Sequence, residues 1–267
     1  MDEFYKDKVV WITGASSGIG ESLVKEAAKR GAKLVLSARR EKELKRVQKE
    51  NGLNDKNSLI LVMDLENYKK FGKLPSQVIK KFGSIDVLIN NGGISQRSLA
   101  HETSLETYET IMKVNYFGNI ALTLAVLPFM RDSKKGWISS IASVAGKIGV
   151  PLRTGYSSTK FALTGFFEAL RAENAKEGIK VSLVYPGFVR TNISHNALKG
   201  DGKPQKKMDK VIENGLDPDE CARIILDGIA KEKLDITVAG PKEKFALFLR
   251  HYAPGIFAKV LSKASVT

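Results

Sequence analysis

The sequence holds a single cysteine, Cys221, which excludes an internal disulfide and says little about redox compartment. Histidine is scarce too: His101, His195 and His251 are scattered, with no metal-ligand spacing among them, and no metal site is expected. Long apolar runs are missing. The longest nearly charge-free stretch, 114–130, contains Asn115, Asn119 and Thr123 and is short for a membrane span, so it reads as a buried helix. Residues 1–8 are polar and charged, and a strand-like run follows at once. That is no secretory signal pattern, and it points to a cytoplasmic location. Repeats, low-complexity segments and an interdomain linker are all absent. Acidic residues are outnumbered, 29 against 43 Lys and Arg, for a net charge of +14. Lys25, Lys29, Lys42, Lys45 and Lys49 lie spread along helix faces rather than in a basic arm. An ordinary basic surface is therefore favoured over a nucleic-acid partner.

What is present is a regular alternation. Apolar runs at 8–12, 32–36, 58–63, 85–89, 137–141, 179–184 and 235–238 read as strands. Helical patterns at 41–50, 68–82, 105–130 (with a break near Asn115), 156–176 and after Asp217 lie between them. Strands alternating with helices predict one α/β domain spanning 1–267, a doubly wound parallel sheet of about seven strands of Rossmann type with helices on both faces. The first strand leads into Thr13-Gly14-Ala15-Ser16-Ser17-Gly18-Ile19-Gly20 and then a helix. Glycines let a backbone turn sharply against a pyrophosphate, and the helix N-terminus offers free N–H groups. Arg39, with Arg40 beside it, follows the second strand, where an arginine accommodates the 2′-phosphate of NADP and an acidic residue would select NAD. Gly14, Arg39, Asp64, Asn90, Ser143 and Pro186 all follow strand ends, where ligands bind in such sheets.

The chemistry centres on Tyr156 and Lys160, four residues apart and so on one face of a helix. An ammonium beside a phenol favours the phenolate, so the spacing predicts a Tyr156 pKa below the free value of about 10. Such a group can trade a proton with a carbonyl or alcohol oxygen. Ser143, just beyond the fifth strand, can bond that same oxygen. A lone Tyr-x-x-x-Lys is most often a solvated helix face; its place after the fifth strand is what raises its weight.

Thr13 to Gly20, Asn90-Asn91-Gly92-Gly93, Asn115, Ser143, Tyr156-Ser157-Ser158-Thr159-Lys160 and Pro186-Gly187 together resemble the one-domain form of the short-chain dehydrogenase/reductase family, from Lys8 to about Gly240. Gly92 departs from it, since the family usually has alanine there. Residues 90–98 and 114–118 resemble the member 7 branch of dehydrogenase/reductases, which is linked to retinoid, steroid and other lipophilic carbonyl substrates, often at membranes. The resemblance implies Tyr156 as general acid or base, Lys160 as its partner and a ligand of the nicotinamide ribose, Ser143 on the substrate oxygen, and Asn115 on a water leading from Lys160 to solvent. It places NADP(H) along Gly14, Ser16, Ser17, Gly18, Ile19, Gly20, Arg39, Asp64, Leu65, Asn90 and Gly92, along Tyr156 and Lys160, and along Pro186, Gly187, Val189 and Thr191.

It also implies a substrate-covering loop at 188–216, in which His195 reads as an exposed loop residue. The expected activity is NADP(H)-dependent reduction of a carbonyl or oxidation of an alcohol. The alternatives are a 3-oxoacyl-carrier-protein reductase, drawn to an acidic carrier, and an NADP-binding regulator. Residues 161–170 and 120–130 are apolar almost all round, which predicts a dimer or tetramer. In the 241–267 extension, Phe245, Leu247, Phe248, Leu249 and Tyr252, then Ile256, Phe257, Val260 and Leu261, are bordered by Lys242, Lys244, Arg250, Lys259 and Lys263. That pattern suits a subunit contact, a substrate lid or peripheral membrane contact.

Overall fold

The computed structural model describes residues 2–263; the last four residues of the predicted C-terminal extension lie outside them. Seven strands, β1 (Val9–Thr13), β2 (Lys33–Ala38), β3 (Ser58–Val62), β4 (Val87–Asn90), β5 (Gly136–Ile141), β6 (Ile179–Pro186) and β7 (Asp235–Val238), form one parallel sheet in the order β3-β2-β1-β4-β5-β6-β7. The helices are α1 (Asp2–Tyr5), α2 (Gly18–Lys29), α3 (Glu41–Glu50), α4 (Leu74–Phe82), α5 (Leu105–Met112), α6 (Gly118–Asp132), α7 (Thr154–Glu173), α8 (Lys210–Glu213), α9 (Pro218–Ala230), α10 (Pro241–Tyr252) and α11 (Pro254–Leu261).

Side chains alternate across each strand, and both faces are covered, so the strands read as unbroken apolar runs. Val10 and Ile12 pack with Leu34 and Leu36 beneath α2, α3 and α9. Val9 and Trp11 pack with Val35 and Leu88 against α4, α6 and α7. Cys221 is buried on α9, and burial pushes its thiol up to about 12, which keeps it inert.

The elements differ from their predicted spans where backbone chemistry intervenes. The helix expected at 68–82 is a 3-10 segment (Leu65–Lys73) followed by α4, because Pro75 has no N–H to give and so sits in the first turn of a new helix. The 105–130 helical region is broken near Asn115, as expected, by a π-helical turn at Lys113–Phe117 that holds Asn115. The run 105–132 is long and apolar enough to cross a membrane by length and composition, yet Leu122, Val126 and Met130 are fully buried in the core.

The sheet order reverses at β1. Its first neighbours, β2 and β4, lie on opposite sides, and the connections leave in opposite directions. A crevice opens there at the carboxyl ends of the strands.

Candidate active site

The turn after β1 is closed over by the segment after β4. Gly14 and Gly18 have φ of 66° and 57°. A Cβ on Gly20 would lie 2.2 Å from the Gly14 carbonyl oxygen and 2.6 Å from Asn91 Nδ2. Thr13 Oγ1 accepts from the N–H groups of Asn91 (3.0 Å) and Gly92 (2.9 Å), and Asn91 Nδ2 donates to the Thr13 carbonyl at 2.9 Å. Ser17 is the N-cap of α2 but makes no side-chain cap bond. The first-turn N–H groups and the positive end of the helix dipole are left for an anion.

Around this turn the predicted cofactor residues are near one another but differ in what they do. Ser16 is buried, Ser17 exposed and Ile19 half-buried. Arg40 reaches back to the hydroxyls of Ser16 and Ser17, both at 3.2 Å, while Arg39 is exposed beside it. Asp64 Oδ1 accepts from Glu66 N at 3.1 Å, capping the segment that begins with the buried Leu65. A Cβ on Gly92 would meet the flexible tip of Leu65 at 2.6 Å and Thr13 Oγ1 at 3.3 Å, so alanine there would need the Leu65 side chain to move and Thr13 to give slightly. Asn90 is turned to α6: its buried amide donates to Thr123 Oγ1 at 2.8 Å and serves helix packing.

The side chains expected to handle the proton, Ser143, Tyr156 and Lys160, lie at the end of β5 and on α7. Ser143 opens the turn Val144–Gly146, accepting from Ala145 N at 3.1 Å, with its Oγ 3.4 Å from the Pro186 carbonyl. Tyr156, in the first turn of α7, is buried, and the Ser143 hydroxyl acts on its phenol in the direction that favours the phenolate. Lys160 stands one turn on. Its Nζ donates to the Ile141 carbonyl at 2.8 Å and lies 5.5 Å from the Tyr156 ring centroid. Asn115 Nδ2 donates to Thr159 Oγ1 (3.1 Å) and the Ile94 carbonyl (2.8 Å). A Cβ on Gly93 would be 3.0 Å from Asn115 Oδ1 and 3.8 Å from Lys160 Nζ, so all three adjoin.

Beyond β6, Gly187 N donates to the Val238 carbonyl at 2.9 Å. Val189 is buried, and Thr191 comes against Gly18 at the start of α2. A cleft of about 510 Å³ lies beside that contact, between Glu21, Lys25 and Arg190. It is charged and lies away from Tyr156, so the strand ends locate the chemistry better than this cleft does. His195 is exposed, as expected of a loop residue.

One electrostatic expectation is corrected. Lys160 does not pull Tyr156 below 10. Burial dominates and pushes the phenol up, while the Ser143 hydroxyl and then the Arg153 and Arg97 guanidiniums pull it back. Burial also lowers Lys160 to about 8. The spacing argument assumed solvated charges; inside the protein both ions pay desolvation.

The sequence assigns no role to several residues that shape the candidate site. The buried Gln96 accepts from Gly155 N (2.7 Å) and Tyr156 N (3.3 Å) through Oε1, and so caps α7 from a distant segment. Arg97, Arg153 and Asp209 meet beneath the 188–216 loop, and Thr13 and Asn91 lock the glycine turn. Arg97 and Asp209 are 112 positions apart, a separation no motif spans.

The family model for short chain dehydrogenases matches residues 8–202. A dehydrogenase/reductase SDR family protein 7-like of Anopheles gambiae is 43% identical over 96% of this chain and 82% of its own. The human dehydrogenase/reductase SDR family member 7 is 42% identical over 93% and 75%. Among solved structures, a short-chain dehydrogenase from Streptomyces avermitilis superposes with a TM-score of 0.80 at 27% identity, over 96% of this chain and 95% of that one. A Burkholderia phymatum short chain dehydrogenase/reductase in complex with NAD has a TM-score of 0.83 at 24% identity, over 94% and 95%, a likeness of fold.

Proposed function

The chain belongs to the short-chain dehydrogenase family and is an oxidoreductase, and from that premise we propose that it moves a hydride between NADP(H) and a lipophilic carbonyl or alcohol. The observation that carries this reading is the meeting of Ser143, Tyr156, Lys160 and Asn115 at the strand ends beside the glycine turn. The turn suits a dinucleotide, because Gly14 and Gly18 hold the positive φ that lets the backbone turn sharply and the N-terminus of α2 is uncapped by Ser17. A nicotinamide cofactor held there would supply or accept the hydride. Tyr156 gives its phenolic proton to the substrate oxygen in reduction and removes it in oxidation. Ser143 holds the same oxygen, Lys160 holds the nicotinamide ribose, and Asn115 keeps a water in line for proton resupply. Gly14, Ser16, Ser17, Gly18, Ile19 and Gly20 take the pyrophosphate. Asp64, Leu65 and the Asn90–Gly92 backbone take the adenosine side, and Pro186, Gly187, Val189 and Thr191 the nicotinamide side.

The deciding experiment is NADPH consumption against ketones, aldehydes, retinal, steroids and 3-oxoacyl thioesters. Turnover confined to the thioesters favours the acyl-carrier reductase. Tight NADPH binding with no turnover on any of them favours a regulator.

Arg39 is the residue proposed to select NADP. It is exposed and available, while Arg40 is engaged with Ser16 and Ser17. A charge-assisted bond to the 2′-phosphate is worth about 1.5–3 kcal/mol, so Arg39→Ala should narrow the NADPH preference by about ten- to a hundredfold. Equal kcat/KM for NADH and NADPH in the unmodified chain refutes this.

Assembly and location follow from two exposed apolar surfaces. Leu124 on α6 and Phe161 on α7 are about half exposed, which supports a homodimer or tetramer through these helices. On α10 and α11, Ala246, Leu249, Phe257 and Leu261 pack inward on Val144, Ile148 and Val150, next to Ser143. Phe245, Phe248, Tyr252, Ile256 and Val260 face outward. Bordered by Lys242, Lys244, Arg250, Lys259 and Lys263, this outer face suits a peripheral contact with anionic lipid, with the inner face bounding the site. Sedimentation at micromolar concentration reads the assembly. Co-sedimentation with anionic vesicles should be weakened by salt and by deletion after Gly240; protein left in the supernatant at low salt ends the membrane reading.

A further inference from the structure

Tyr156 stands in the first turn of α7, the part of a helix that frays when its N–H groups are left uncapped. An N-cap residue ordinarily accepts from the N–H groups two and three positions on. Arg153 holds the N-cap position of α7, and an arginine side chain has no acceptor to give. The two N–H groups belong to Gly155 and Tyr156. One atom from elsewhere takes both: Gln96 Oε1, at 2.7 and 3.3 Å. Gln96 is fully buried, and its Nε2 donates to Ser98 Oγ at 3.2 Å and to Thr103 Oγ1 at 3.1 Å. Glycine at 155 leaves room for this approach, since a Cβ there would lie 3.0 Å from Gln96 Oε1 and 2.9 Å from Tyr108 Cδ1. The chain enters α7 through Leu152, whose φ of 63° is left-handed and costly for a residue with a Cβ. The Leu152 carbonyl accepts from Ser98 N at 3.1 Å, so one short segment holds both the strained entry and the first turn.

That segment also reaches the other parts of the site. Asn91 N and Gly92 N bond Thr13 Oγ1 in the glycine turn. Ile94 N donates to Asn115 Oδ1, and the Ile94 carbonyl accepts from Asn115 Nδ2, both at 2.8 Å. The backbone on either side of Gln96 is fastened to the 188–216 loop: Arg97 N donates to the Leu198 carbonyl and Leu198 N to the Ser95 carbonyl, both at 2.8 Å. We infer that Gln96 is a positioning residue for the reaction: by capping α7 from this segment, it sets Tyr156 at a fixed place relative to the glycine turn. It acts through the Tyr156 backbone, and the inference rests on Tyr156 as the proton-transfer group.

The geometry separates this role from cofactor binding. Lys160 lies one turn further along α7 and is held on its own by the Ile141 carbonyl. The glycine turn keeps its bonds to Asn91 and Gly92 whatever Gln96 does. Losing the cap should therefore loosen the turn that carries Tyr156 and spare the cofactor side. Proton transfer needs the donor within hydrogen-bond reach of the substrate oxygen, and a small misplacement costs rate steeply.

The test is a double-mutant cycle on kcat in the full chain, with NADPH titration and amide hydrogen exchange beside it. Gln96→Met keeps the volume and removes the acceptor. Its kcat should fall by on the order of ten- to a hundredfold, with NADPH affinity unchanged and faster exchange at the Gly155 and Tyr156 amides. Gln96→Glu keeps an oxygen on those two N–H groups, where a helix N-terminus favours it, and the Ser98 and Thr103 hydroxyls can turn to donate. It should restore most of the lost turnover and the slow exchange. In a Tyr156→Phe background Gln96→Met should cost nothing further, because no phenol is left to position. A cap that serves stability alone would instead cost the same factor in both backgrounds. Should Gln96→Met not fold, Gly155→Ala crowds Gln96 Oε1 and carries the same expectations. Equal losses in the two backgrounds, normal kcat or unchanged exchange in the folded variant, or a Glu variant as impaired as Met overturns the proposal. Near-normal kcat in Tyr156→Phe alone overturns the reading beneath it as well, so the two failures are told apart.

Discussion

Tyr156→Phe is expected to lower kcat by about 10²- to 10⁴-fold, the span general acid–base catalysis covers, with NADPH affinity largely unchanged. The argument is local. The variant removes one hydroxyl from a residue that is 9% exposed and keeps the ring that packs there. Ser143 retains Ala145 N and the Pro186 carbonyl, so little else moves. The glycine turn and the start of α2 lie on other elements and keep their shape. Fluorescence titration with NADPH and steady-state kinetics on whichever carbonyl is turned over measure the two halves separately. Near-normal kcat in this variant would refute the proton-transfer role of Tyr156.

Lys160→Met should show an opposed pair of effects: turnover lost by at least about tenfold, with weaker NADPH binding, and a higher melting temperature at pH 7. Burial lowers Lys160 from the usual 10.5 to about 8. At 1.36 kcal/mol per unit this corresponds to about 3 kcal/mol of cost for holding the charge inside. A methionine fills similar volume without a charge, and the lost bond to the Ile141 carbonyl offsets about 1 kcal/mol of the gain. The sign against pH follows from linkage. Below about 8 the lysine is protonated folded and unfolded alike, and the cost is present in full. Between about 8 and 10.5 the unfolded chain binds more protons than the folded one, so the unmodified protein gains stability as pH rises. The melting advantage of the variant, a few degrees at neutral pH, should therefore shrink as pH rises toward 10.5. A variant that melts lower at pH 7, or an advantage that stays constant with pH, argues against a buried, strained charge.

These two substitutions also mark what could be read without coordinates. Tyr156, Lys160 and Ser143 were legible because their spacing is local: one helical turn, and one strand end. The glycine turn was legible because strand, glycines and helix follow one another within twenty residues. The seven strands were legible because a parallel sheet covered on both faces demands uninterrupted apolar runs. Arg39 was marked by its place after β2, yet the same position hid that Arg40 is the arginine bonded to the turn.

Tertiary structure alone decided the rest. Gln96 caps α7 across 59 positions, and Asp209 reaches Arg97 across 112. No period or motif encodes such pairs, because they arise where the loop after β6 folds back on the segment after β4. Burial decided the electrostatics. The sequence determined which ionisable groups stand one turn apart, but the sign of the shift on Tyr156 depends on how much water the surrounding elements remove, and that is a property of the packed sheet and helices rather than of any stretch of chain.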